Sequence, residues 1–447
     1  MRKLIISFML VVMLISIGGL ATAQEEKPYA GKTLNVQFMA VGSVMDIENL
    51  IPEFEEMTGA KVNLSLGSER AYTQKAVMDL SRNRGDVGVY WYPWGTFHDW
   101  ADKGWFEPLG KYIERDDWVT EDMVDMDAFP EAALGGLHYQ GHQYGFPTLN
   151  DNIIMVYRKD IFDKVGVEPP DTWWETMEVC EKIEESDEVD ISCIGMRGSK
   201  DRGGADFNFP AVLRAQCGSI VKDYPEDMRP NLLDPDSIEA AKYYNKLLNE
   251  YGFEGAATAH HLDLVTAYQQ GEAAMIMGSN VATHLFVDPD KSVAAGKTGF
   301  STPPMGPCGA FTPTAIHGIS IPSNYPNKEL AFEFIQWFTS PEVQWENVIQ
   351  NGVTNVTIPE LRTREQYHEQ FEEFNSEEWV EVVNKTEKYW SHPYYRPMNP
   401  EWSKVGDEFG IAMSRILTGQ MSVEKAFERA SKEIYEIYEE AGYYNEE

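Results

Sequence analysis

Cysteine is scarce in this chain: there are four in 447 residues, Cys180, Cys193, Cys217 and Cys308, at spacings that fit no zinc pattern. A small fold held together by metals or dense disulfides is thereby excluded. Basic residues are also few. Against 72 Asp and Glu stand 37 Lys and Arg, a formal net charge of −35, and such a field repels nucleic-acid phosphates and anionic lipid surfaces. No nucleic acid is expected as a partner. Beyond the N-terminus no apolar run is long enough to cross a bilayer, and the chain shows neither internal repeats nor a low-complexity linker.

What is present begins with MRKLIISFMLVVMLISIGGLATAQEEKPYA. Arg2 and Lys3 precede an apolar run to about Leu20, then Ala21-Thr22-Ala23 precedes Gln24. This tripartite pattern predicts an export signal cut near Ala23, with an uncleaved anchor as the competing reading. No cysteine follows the run, so no lipid anchor is expected, and the expected location is periplasmic or extracellular and soluble. In that oxidising compartment the four cysteines allow three pairings, or none if they are buried thiols. Cys180 with Cys193 and Cys217 with Cys308 is preferred, joining the nearest pair and leaving two Gly-flanked loop cysteines to meet. The acidity fits a solvated surface suited to high salt or, alternatively, a field that steers a cationic ligand.

At this length the chain exceeds one ordinary core, so two lobes are expected. TLNVQFMAV, KVNLSLG and DVGVYWY read as strands separated by helices, and this alternation predicts a parallel sheet covered by helices, with ligands beyond the carboxyl ends of the strands. A second βαβ-like unit begins near Asn150. It contains the strand NIIMVYR, a helix from Lys159 to Val165, a capping box at Thr172 and Glu175, and the strand ISCIGMRG. Asp236 is expected to cap the helix that follows it, and MSVEKAFERASKEIYEIYEEAG reads as a final amphipathic helix. The segment Gly85 to Leu109 is crowded with aromatics. Trp100, Trp105 and Phe106 are expected to pack inside, whereas Tyr92 and Trp94 sit at a strand's carboxyl end as a candidate ligand platform.

The segments GWFEPLGKYI, YGFPTLNDNIIMVYRKDIF, PPDTWWETMEVCEKI, GEAAMIMGSN, HGISIPSNYPNKELAFEFIQWFTSPEVQ and RPMNPEW, in this order, resemble the extracellular solute-binding proteins of ABC importers. The similarity is to the large sugar-binding group that includes maltose-binding proteins. It implies an α/β fold of two lobes, each a sheet flanked by helices, with the ligand cleft between them. By that resemblance residues 24–149 plus 311–351 form the N-terminal lobe and 150–310 plus 352–447 the C-terminal lobe. Crossings fall near Pro147 to Asn152, Thr314 to Gly318 and Asn351 to Thr357. The implied partners are a carbohydrate or polyol and the permease subunits of an importer. No catalysis, cofactor or metal is implied, and a monomer is expected.

A sugar offers hydroxyls that donate and accept, and apolar C–H faces, so its site needs amide, carboxylate and guanidinium groups beside flat rings. Strand ends and crossings supply Ser43, Tyr92, Trp94, Asn150, Asp151, Arg197, Asn208, Phe209, Ser279, Asn280, His317, Tyr395 and Arg396. Asp151 matches a family aspartate, while Leu149 replaces another; Arg396 matches the family's Arg-Pro element. Each candidate also has a structural role open to it: a helix cap for Ser43 and Asn280, a surface charge for Arg197, a hydrogen-bonded structural ring for His317, an interlobe salt bridge for Arg396. His260-His261, lacking a partner at metal spacing, reads as an exposed pair. Two other functions compete. One is a receptor for a polyamine or quaternary ammonium, caged by Tyr92 and Trp94 with Asp151 as counter-charge. The other is an exported carbohydrate-active enzyme using a carboxylate pair that no motif nominates.

Overall fold

The structure, a computed structural model, describes residues 27–40, 44, 46–92, 95–120, 124–372 and 374–444. The export-signal expectation, Ser43 and Trp94 lie outside the described residues. The strands are β1 (Thr33–Met39), β2 (Lys61–Gly67), β3 (Val89–Tyr92), β4 (His138–Tyr139), β5 (His142–Gln143), β6 (Gly145–Arg158), β7 (Ser192–Gly195), β8 (Val221–Asp223), β9 (Asp227–Pro230), β10 (Ala273–Ser279), β11 (Thr298–Ser301), β12 (Thr312–Ser320) and β13 (Ser391–His392).

One continuous path of strands runs β2-β1-β3-β12-β6-β10-β7, with β11 on β6 and β13 on β12; β4-β5 and β8-β9 are separate two-stranded ribbons. β1 is parallel to β2 and β3, as the strand–helix alternation requires. The pivot is β6. Its residues up to Asn152 pair with β12, Asn152 opposite Thr314, whereas from Ile153 onward its partners are β10 and β11, Ile153 opposite Ser279. The sequence marks this exchange. The apolar half Ile153 to Tyr157 is buried, and the polar residues Thr148, Asn150 and Asn152, also buried, crowd the point where partners change. Buried polar groups there must find hydrogen bonds. Thr314 Oγ1 donates to Asn152 Oδ1 (2.7 Å), Asn280 Oδ1 accepts from the Asn152 N–H (2.8 Å), and Asn355 Nδ2 donates to the Asn150 carbonyl (3.3 Å).

Local signals place the helices. The Thr172–Glu175 capping box opens Trp173–Glu184, and the Ser340 hydroxyl accepts from the Val343 N–H to start Pro341–Asn351. Helix Pro235–Glu250 begins two residues earlier than expected: Asp234, not Asp236, is its cap, because Pro235 fits the first helical position, where its missing N–H costs nothing. The terminal helix spans Val423–Glu440, its apolar stripe Phe427, Ala430, Ile434 and Tyr438 buried. Cys180 is bonded to Cys193 and Cys217 to Cys308, closing separations of 13 and 91 residues. No described helix is long and apolar enough to cross a membrane.

Candidate functional site

The chemistry concentrates where the loop after β7 meets β6, β10 and the segment 393–402. The loop from Arg197 to Gly204 is drawn tight. A Cβ on Gly204 would lie 2.2 Å from the Ser199 carbonyl oxygen, and Gly203 has φ +82°, so only glycine fits this course. The tight turn sets two charges side by side. Arg197 Nη1 donates to the Gly203 carbonyl (2.9 Å), and the Gly203 N–H donates to Asp206 Oδ1 (2.8 Å) in the first turn of helix Ala205–Ala215. An acid at a helix start is favoured by the helix dipole. Here burial outweighs that field and the neighbouring Arg202, Arg396 and Arg197, and Asp206 is pushed up to about 7.

Arg197 is buried and makes its remaining contacts with His261 and Phe207: Nη2 lies 3.0 Å from His261 Nδ1, and the guanidinium carbon is 4.9 Å from the Phe207 ring centre. Burial, then the positive charge of Arg197, hold His261 down at about 3. The imidazole is therefore neutral and its Nδ1 accepts. Across from this pair, Asp151 on β6 accepts from Ser279 Oγ (2.5 Å) at the end of β10; burial raises its carboxyl, opposed by Arg197 and the Ser279 bond. Tyr395 sets its ring against Phe207 at 5.8 Å, and Arg396 lies over the rings of Tyr395 (5.5 Å) and Trp402 (5.3 Å). The structure thus brings Asp151, Arg197, Ser279, Tyr395 and Arg396 together, with Asp206, His261 and Trp402 among them.

Several buried polar atoms at this junction have no hydrogen-bond partner among the described residues: the donors Arg197 Nε, Asn280 Nδ2 and Trp402 Nε1, and the acceptors Asp206 Oδ2, Asn150 Oδ1 and Asn355 Oδ1. Orphaned polar atoms are costly inside a protein. A mixed set of donors and acceptors matches the hydroxyl group, which does both.

Other expectations are corrected. Tyr92 is no platform: it is fully buried between Phe97 and Phe106, and a Cβ on Gly145 would come 2.6 Å from its hydroxyl. Phe209 is core, packed on Tyr244 and Phe409. Asn208 spends both ends of its amide on backbone, accepting from the Arg197 N–H (3.1 Å) and donating to the Met277 carbonyl (3.1 Å), so it positions the loop. His317 lies flat on Trp91, ring centres 4.8 Å apart, and burial holds it at about 3. His260 and His261 are not an exposed pair. His260 takes part in a capping box with Asp263 at the start of helix His261–Gln270, which aims His261 at Arg197. Asp206 was absent from the candidates because an acid in a first helical turn needs no special explanation; its signal is the pair of glycines before it. Among the described residues no group of three or more His, Cys, Asp or Glu could hold a metal.

Two cavities open nearby. One of about 690 Å³ is lined by Tyr139, Arg214, Lys222, Tyr224, Tyr394 and Arg396, and one of about 850 Å³ by Phe129, Pro130, Glu387, His392 and Tyr394 among others. Of the sequence-derived candidates only Tyr395 and Arg396 line the first.

With this geometry in hand, similarity to known proteins is informative. The family described as bacterial extracellular solute-binding protein matches residues 43–345. The mannitol-binding protein of Pseudomonas aeruginosa is 23% identical over 434 residues, 92% of this chain and 94% of that protein. The erythritol/L-threitol-binding protein of Mycolicibacterium smegmatis is 24% identical over 339 residues, 72% of this chain and 70% of that protein. An ABC transporter solute-binding protein from Agrobacterium radiobacter, solved in complex with ribitol, superposes with a TM-score of 0.78 at 23% identity, covering 92% of this chain and 100% of that one. The fold is shared with these proteins: two α/β lobes.

Proposed function

This chain belongs to the family of bacterial extracellular solute-binding proteins, and from that premise we propose that it captures a carbohydrate or polyol in a cleft between its two lobes and hands it to the permease of an ABC importer. It does so by binding alone, as the family does. We assign residues 24–149 plus 311–351 to one lobe and 150–310 plus 352–447 to the other, the exchange of partners along β6 between Asn152 and Ile153 supporting the first crossing. The exported chain acts as a monomer, its signal cut near Ala23.

The observation that carries the ligand class is the set of buried, unpartnered donors and acceptors around Arg197, Asp206 and Trp402. A hydroxylated chain gives to Asp206 Oδ2 and takes from Arg197 Nε and Trp402 Nε1, so each hydroxyl relieves two orphaned atoms. Asp151, Ser279, Tyr395 and Arg396 complete the wall. The relatives named for mannitol and for erythritol and L-threitol, and the neighbour holding ribitol, support the same class. Buried Arg197 and Arg396 disfavour a cationic ligand.

The test is a thermal-shift screen of the mature chain against mannitol, ribitol, erythritol, hexoses and polyamines, followed by tryptophan fluorescence titration and product analysis. A rise in melting temperature with one polyol or sugar, with the solute recovered unchanged, is expected. No response to any of them, or a chemically altered solute, overturns the proposal.

A further inference from the structure

The chain carries about two acids for every base, yet the 690 Å³ cavity reverses that ratio. Its lining holds Arg214, Lys222 and Arg396 against one carboxylate, Asp223. The nearby carboxylates are engaged elsewhere: Asp102 accepts from the Tyr139 hydroxyl (2.9 Å), and Asp227, which feels the charge of Lys222, is paired with Arg229. Arg214 stands at the end of helix Ala205–Ala215 with a hydrogen bond to the Gly218 carbonyl (3.3 Å) and the Phe311 ring 5.8 Å away, and it makes no ion pair among the described residues. Two histidines register the resulting potential: Arg396 helps burial lower His98 in the cavity lining, and Arg214 does the same to His392, which lines the neighbouring cavity.

The cavity also offers flat surface. Tyr224 and Tyr394 stack with ring centres 6.2 Å apart and an interplanar angle of 28°, and the Tyr224 hydroxyl is fixed on the Met398 carbonyl (2.8 Å). Aromatic faces suit the C–H face of a sugar, and guanidinium suits a carboxylate, which it binds with two parallel hydrogen bonds. Arg396 and Tyr395 face both this cavity and the junction around Arg197 and Asp206.

We propose that the cavity is an anion subsite of the binding cleft and that the solute is a carboxylate-bearing carbohydrate, its carboxylate held by Arg214 and Lys222 and its sugar face lying on Tyr224 and Tyr394. This rests on the capture function proposed above and narrows its ligand to sugar acids. An acidic surface and a basic subsite are compatible: the long-range field slows arrival of an anion, while the local cations set how long it stays.

Calorimetric titration of the full mature chain with two matched pairs, D-glucose against D-glucuronate and D-mannitol against D-mannonate, isolates the carboxylate. In at least one pair the acid binds about tenfold more tightly than its neutral counterpart, the order expected for one added charged hydrogen bond. Lys222→Gln reduces that preference, and the double variant Arg214→Gln, Lys222→Gln abolishes it, the acid then binding no more tightly than its neutral counterpart. Both side chains are exposed, and an unaltered melting temperature without ligand verifies that the variants fold. Neutral compounds that bind as well as their acids in both pairs overturn the anion subsite and leave capture standing, as does a preference that survives the double variant. Tighter binding of D-glucose 6-phosphate than of D-glucuronate assigns the cations to phosphate and overturns the carboxylate. Failure of all these compounds, and of the wider sugar and polyol panel, overturns both proposals.

Discussion

Two buried arginine–carboxylate systems brace the junction, and they are built to opposite ends. Arg362 is bonded through Nη2 and Nη1 to the two oxygens of Glu387, through Nε to Asn384 Oδ1 (3.0 Å), and through Nη1 to the Val356 carbonyl (3.3 Å). Asn150 on β6 adds a further hydrogen bond to Glu387. Every nitrogen and oxygen of this side-chain pair has a partner. Arg197 and Asp206 are equally buried, but Nε of one and Oδ2 of the other have no partner among the described residues. The pair fastens the segment 355–362 to β6, and none of its polar atoms is orphaned. Residual hydrogen-bonding capacity, rather than buried charge itself, separates a brace from a binding site.

The largest effect separating the two comes from breaking the brace. Glu387→Ala leaves the Arg362 cation buried without its counter-charge, which costs about 3–5 kcal/mol of stability. Urea denaturation measures it, and a loss below about 1 kcal/mol would remove the distinction drawn here. Next in size, Asp206→Asn keeps shape and volume but removes the anionic acceptor. Solute affinity falls roughly 10–100-fold, as for loss of a charged hydrogen bond. Equal affinity in the variant would show that Asp206 does not touch the solute.

The same carboxylate gives a pH signature that the brace cannot mimic once Asp206→Asn serves as reference. Burial lifts Asp206 from 3.8 to about 7, so between those values the folded chain keeps a proton that the unfolded chain has released. Stability therefore falls as pH rises through that window. The variant lacks this dependence, and its stability relative to the parent rises from pH 4 to pH 7. Paired urea melts at the two pH values check the sign; a relative stability that declines with pH contradicts it.

Much of this architecture was legible in the chain because local signals and burial agreed. Thr172 with Glu175, Ser340 with Pro341, and the amphipathic terminal stripe each specify an element through backbone chemistry that tertiary contacts did not override. The site was legible in part. Ser279 ends β10 and Arg197 stands in a Gly-rich loop, where polar side chains have no packing reason to be, while Asp151 marks the middle of β6, where its partner strands change, and Arg396 precedes a proline after the short turn Pro393–Tyr395. Asp206 escaped because an acid fills a first helical turn for ordinary reasons, and His261 because His260-His261, without a partner at metal spacing, reads as an exposed pair. What decides their role is three-dimensional: His261, sixty-four positions on, meets the Arg197 guanidinium, and Gly203 links that guanidinium through its carbonyl to Asp206 through its N–H.

Tyr92 shows where the strand rule fails, and it supplies the smallest and cleanest test. A strand's carboxyl end faces the ligand only if its last residue clears the helices that cover the sheet. All four residues of β3 are buried, since this sheet is covered on both faces and alternation no longer separates inside from outside. Phe97 and Phe106 pack around the Tyr92 ring at 5.2 and 5.7 Å, so its contribution is apolar area, which Tyr92→Phe retains. That variant changes stability by no more than about 1 kcal/mol, the scale of one neutral hydrogen bond, and leaves solute affinity untouched. Because the hydroxyl would be the polar contact of any platform role, a drop in affinity without a drop in stability would move Tyr92 back into the site and shift the boundary between core and cleft by one residue along β3.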